Sequence, residues 1–132
     1  MGERTHLIDG QSKLAPSPVE TLLSAVGTCA GSDVVDILAK QRTPVKKLEV
    51  DVMATRRTEF PRRVMTLEVM FNITGDGIDR DKAERAIALS IEKYCTVAAS
   101  LAGDIRFTTI LMLNGAPGDP VPQPMYSATI RS

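Results

Sequence analysis

The chain has 132 residues, enough for one domain with a single hydrophobic core. Sixteen Lys and Arg offset sixteen Asp and Glu, aromatics are only 4%, and Trp is absent. This balance excludes a broad basic face for nucleic acid or anionic membrane, and the scarcity of aromatics argues against base stacking.

No apolar run approaches the roughly 18–20 residues that span a bilayer. Residues 1–14 lack the apolar core of a secretion signal. The expected location is the cytoplasm, where a cysteine pair is more often catalytic or metal-binding than a structural disulfide. Two cysteines and the single His6 fall short of a four-ligand zinc site. A mixed site with carboxylates stays open, but no spacing suggests one, and neither metal nor bound cofactor is expected.

In chain order, residues 1–16 are mixed and polar, with a turn at Asp9-Gly10. Ser17-Pro18-Val19-Glu20 is a helix start: a capping Ser, Pro at the first helical position, and an acid in the first turn. Leu22, Leu23, Ala25, Val26, Cys29 and Ala30 recur at helical spacing, and the stripe runs through Val34, Ile37 and Leu38 until Thr43-Pro44 stops it. A long, mostly buried helix is predicted. Its middle, Gly27 to Ser32, holds two glycines and only small side chains, at about 1 kcal/mol per glycine relative to Ala. Close helix–helix packing is one explanation; open access to the Cys29 sulfur is another.

Leu48, Val50, Val52 and Ala54 then alternate with more polar residues, as do Met65, Leu67, Val69, Phe71 and Ile73. Period two predicts two antiparallel strands joined through Glu59-Phe60-Pro61 and ended at Thr74-Gly75-Asp76-Gly77. Asp81 and Glu84 suggest a capping box for a second helix with Ala83, Ile87, Ile91 and Tyr94 on one stripe. The phase shifts near Tyr94-Cys95-Thr96, as if a short new helix begins. It should close at Ala102-Gly103, before a last strand from Ile105 to Leu113. Residues 115–132 form a Pro-rich, loop-like tail with Pro117, Pro120, Pro122 and Pro124.

Cys29 and Cys95 are the residues to which chemistry attaches. A free cysteine is commonly a buried, inert hydrophobe, and that reading stands beside the functional one. In favour of function, Cys29 lies among small residues, and Cys95 lies near a helix start with Lys93 close by, a setting that favours thiolate. Asp33, one turn after Cys29, either touches the site or pairs at the surface. Tyr94 either offers a hydroxyl to a pocket or is a core aromatic.

Two blocks carry a resemblance. The first is Ser17-Pro18-Val19-Glu20-Thr21-Leu22-Leu23, leading to Gly27-Thr28-Cys29 and Asp33-Val34-Val35-Asp36-Ile37-Leu38. The second is Glu92-Lys93-Tyr94-Cys95-Thr96-Val97 with Ser100-Leu101. In order and spacing they resemble the osmotically inducible protein C and organic hydroperoxide resistance (OsmC/Ohr) superfamily, in its OsmC-like branch. The resemblance implies one α+β domain over residues 1–132, with its N-terminal strands shortened. It implies two central helices packed against antiparallel sheets, in an intertwined homodimer with active sites at the interface.

It further implies a thiol peroxidase that reduces organic hydroperoxides, with Cys29 as the peroxidatic and Cys95 as the resolving residue. An external dithiol would regenerate the thiols. Members use an Arg held by a Glu early in the first helix; here Val19 occupies that Glu position, so Glu20 is the candidate, with a plain first-turn role as its alternative. Arg4 is the nearest Arg by location, whereas Arg42 suits a partner for the helix C-terminal dipole. The family's Cys-Pro-(Val or Tyr)-Ser becomes Cys95-Thr96-Val97-Ala98. Two other outcomes fit these departures: a binding module for a small apolar ligand with inert thiols, and a redox sensor.

Overall fold

The computed structural model describes residues 3–124. Helix α1 runs Pro18–Lys40 and opens on a complete capping box: the Ser17 side chain accepts from the Glu20 amide, and the Glu20 carboxylate accepts from the Ser17 amide. It ends before Thr43-Pro44, as the sequence predicts. The helix is one-sided rather than mostly buried, with Val26, Gly27, Ala30, Gly31, Val34 and Leu38 packed inward. By length and a mean hydropathy of 1.5 it could cross a membrane, contrary to the expectation from the sequence. In this fold it is the central helix, and the sheet and the other helices take its apolar side.

Strand β1 (Lys47–Arg56) pairs antiparallel with β2 (Val64–Thr74) in the predicted register of inward and outward faces. Leu67, Val69, Phe71 and Ile73 of β2 are buried. Such side chains each contribute about 1.5–3 kcal/mol by leaving water. The small residues of α1 serve this layer. A Cβ on Gly27 would come 2.9 Å from Val52 and 3.1 Å from Val50, and one on Gly31 would come 3.0 Å from Leu48. The glycines let a helix lie on a strand, not on another helix.

Helix α2 (Arg80–Leu89) is capped by Asp79, whose side chain makes no capping bond, so the expected Asp81–Glu84 box is absent. Glu84 lies instead 4.0 Å from Arg80. The next five residues, Ser90–Tyr94, widen into a π-helical turn, closed by the Cys95 amide donating to the Ser90 carbonyl at 2.7 Å. Cys95 then caps the short helix α3 (Thr96–Ala99).

Strand β3 (Arg106–Leu113) returns beside β2 in parallel, so the sheet is mixed and not wholly antiparallel. A parallel neighbour requires a crossover, which α2, the π turn and α3 supply. The tail is not a plain loop: β4 (Ala116–Pro117) and β5 (Val121–Gln123) both pair with the outer edge of β3. Asn114-Gly115, both at positive φ, makes the tight turn into β4. Arg80 donates to the carbonyls of Leu111 and Ala116, at 3.3 Å and 2.6 Å, and holds β4 in place. The architecture is α+β, with helices on one face of a five-stranded sheet. Residues 125–132 of the predicted tail lie outside the described residues.

Candidate active site

The site forms where α1 meets the π turn. Cys29 and Asp33 stand four residues apart on α1 and so share one face. The π turn brings the other thiol to them. An uninterrupted α-helical stripe through Ala83, Ile87 and Ile91 would turn Tyr94 inward, as the periodicity suggested. Widening the turn advances the phase by about one residue: Tyr94 is left 52% exposed, with the Lys93 ammonium 5.7 Å from its ring centre, and Cys95 takes the buried position. Irregular turns of this kind recur at functional sites.

The two sulfurs and an Asp33 carboxylate oxygen all lie within 4.8 Å of one another. The sequence separation of the cysteines gave no sign of this. Both are free thiols, Cys29 half-buried and Cys95 fully buried. Burial pushes the Cys95 thiol up from 9.0 to about 12; the Ala98 amide, which donates to its Sγ at 3.4 Å, opposes the rise, whereas the Cys29 sulfur and the Asp33 charge add to it. The sequence expectation of a thiolate-prone Cys95 is thus reversed, because a four-residue helix and a Lys93 turned toward Tyr94 do not offset complete burial. Asp33 is held by the buried Ser90, whose hydroxyl donates to its Oδ2 at 2.9 Å and also lies 3.3 Å from the Ala30 carbonyl. Ser90 was not among the sequence candidates, since a Ser inside a helical stripe carries no local signal of what it faces.

The remaining candidates lie elsewhere. Glu20 is solvent-exposed and engaged by Ser17 and Ser12, and these hydrogen bonds hold its carboxyl below the usual range. Cys29 lies nine positions further along the helix, a rise of about 13 Å. In the single chain it is therefore a capping residue that pins the preceding loop. Arg4 is exposed in the irregular N-terminal segment, and Arg42 is exposed just past α1 at positive φ. Two arginines that the sequence did not single out lie near the N-terminal half of α1. Arg62 and Arg63 line an apolar groove of about 260 Å³ with Val19, Leu22, Val26 and Leu101. The groove ends at Val26, one turn before Cys29. Arg63 is engaged by both carboxylate oxygens of Asp104.

The OsmC-like protein family matches residues 10–110, which contain both cysteines and the elements that carry them. The chain belongs to the OsmC-like family. Protein YhfA of Escherichia coli K12 is 42% identical over 103 residues, 77% of either chain. Among solved structures, a hypothetical protein from Aquifex aeolicus superposes with a TM-score of 0.68 at 29% identity, covering 76% of this chain and 77% of the other. The organic hydroperoxide resistance protein OhrB of Bacillus subtilis shares the fold, with a TM-score of 0.55 at 14% identity over 77% and 74% of the two chains. In this OsmC-like chain the facing thiols thus sit on the helix and the crossover that belong to the family's matched core.

Proposed function

We propose that the protein is a thiol-dependent reductase of organic hydroperoxides. The observation that carries this reading is the meeting of a half-exposed and a fully buried thiol within 4.8 Å. The Cys29 thiolate attacks a hydroperoxide oxygen, the O–O bond breaks, and the departing alkoxide takes a proton to leave as alcohol. Cys29 is left as a sulfenic acid. Cys95 then attacks that sulfur, forming the disulfide; hydroxide leaves and is protonated to water. A thiol pushed up to about 12 keeps its proton until this step, and the Asp33 carboxylate, within 4.8 Å, accepts it as the S–S bond forms. An external dithiol returns both residues to thiols by exchange.

The apolar groove that ends at Val26, one helical turn before Cys29, supports an organic substrate over hydrogen peroxide. Two features support a homodimer in which a second copy completes the site. Along the α1–β1 seam, the inward residues Leu48, Val50, Val52 and Ala54 remain half-buried. Leu7, Leu14 and Phe60 are 73%, 86% and 87% exposed. A cytoplasmic setting, with a dithiol available, suits a catalytic pair of this kind.

Intact-mass analysis after one equivalent of cumene hydroperoxide tests the reading. The wild type should lose two hydrogens, Cys95→Ser should gain one oxygen, and Cys29→Ser should remain unchanged. Unchanged masses in the wild type would overturn it.

A further inference from the structure

A second chemistry is open to the same three donors. A tetrahedral metal ion holding sulfur at about 2.3 Å and carboxylate oxygen at about 2.1 Å separates its ligand atoms by roughly 3.6–3.8 Å. The Cys29 and Cys95 sulfurs and the Asp33 oxygen lie within 4.8 Å of one another, so closing them onto an ion takes shifts of about 1 Å or less. The carboxylate is already oriented, because the buried Ser90 hydroxyl donates to its Oδ2. Hydrogen bonding of a ligating carboxylate by a fixed neighbour is the usual support of a metal site.

The approach is also present. Cys95 closes the inner side, Cys29 and Asp33 are half-buried, and Asp33 lines an open cleft of about 440 Å³ with Asp36, Lys40 and Tyr94. Two sulfur donors select a soft or borderline ion over magnesium or calcium.

We infer that the reduced protein binds one zinc ion per chain through Cys29, Cys95 and Asp33, with a water molecule at the fourth position. Each thiol gives up its proton to solvent as its Zn–S bond forms, so binding releases two protons from the neutral thiols. The bound site, with two thiolates, one carboxylate and Zn²⁺, carries a net charge of −1. No electrons move. Zinc and the disulfide are therefore alternative states of the same sulfurs, and a bound ion shields Cys29 from peroxide. The inference needs only reduced thiols and does not depend on peroxide reduction.

Anaerobic titration of the reduced full chain with Cd²⁺, followed at the near-ultraviolet thiolate-to-metal charge-transfer band, tests the site. Zn²⁺ competition against a chromophoric chelator then gives the affinity. One ion per chain is expected. Ser90→Ala, which leaves every ligand in place, should weaken Zn²⁺ binding by roughly 10-fold, and Asp33→Asn by at least as much. Wild type first oxidised to the disulfide should bind none, a control that replaces no residue. Absence of the band at stoichiometric Cd²⁺ would overturn the inference. So would full affinity in Cys95→Ser or in Asp33→Asn. Protein that takes up the metal but, when metal-free and reduced, is not oxidised by peroxide would refute the peroxidase reading alone.

Discussion

Raising the pH on the reduced protein probes the buried thiol directly. Cys95 titrates near 9.0 when unburied and near 12 in the fold, so between those values the folded state holds a proton that the unfolded chain has lost. Stability then falls as pH rises, by about 1 kcal/mol per unit, because the unfolded state binds fewer protons. Below pH 9 both states hold the proton and the contribution is flat. By pH 10.5 the accumulated loss is roughly 2 kcal/mol, of the order of a fifth of a typical domain's stability. The assay is anaerobic urea denaturation of wild type and Cys95→Ser at a series of pH values from 8 to 10.5. Tyr and Lys titrations are common to both proteins and cancel in the difference. The wild type should lose stability relative to Cys95→Ser only above pH 9, and the disulfide form should lack that excess slope. Parallel curves for wild type and Cys95→Ser would refute the claim that burial dominates at Cys95.

Four further outcomes follow from the packing and the caps. Ile91→Ala, in the fully buried part of the π turn, should cost about 2–5 kcal/mol in denaturant unfolding and loosen the placement of Cys95. Gly27→Val should destabilise by about 1–3 kcal/mol through collision with Val50 and Val52, whereas Gly27→Ala should cost less because it recovers about 1 kcal/mol of helix propensity. Ser17→Ala should cost about 1 kcal/mol by uncapping α1. Glu20, held below its ordinary range in the fold, contributes stability that is present above about pH 4.5 and lost as pH falls through its folded value; Glu20→Gln should flatten that acid limb in a thermal-unfolding series.

Local chemistry alone determined much of this protein. Ser17, Pro18 and Glu20 mark a helix start because a side-chain oxygen, a fixed φ and a first-turn acid satisfy the same unpaired amides wherever they occur together. Strict alternation in Leu48–Ala54 and Met65–Ile73 sufficed for two strands with one apolar face, and the phase break at Tyr94-Cys95 was visible as a break. The two cysteine-bearing blocks were enough to place the chain beside its family.

Tertiary structure decided what those pieces meet. The parallel pairing of β2 with β3 joins residues about 40 positions apart, and alternation says which side of a strand is apolar but not which neighbour it takes. Gly27 and Gly31 announced a close approach, but only the fold showed β1 as the approaching surface. The π turn settled whether Tyr94 or Cys95 faces inward, and hence whether the second thiol is exposed and thiolate-prone or buried and protonated. The convergence of Cys29, Asp33 and Cys95, with Ser90 behind them, depends on packing two elements separated by some 60 residues of chain. Burial and proximity are properties of that packing, and no spacing within either block encodes them.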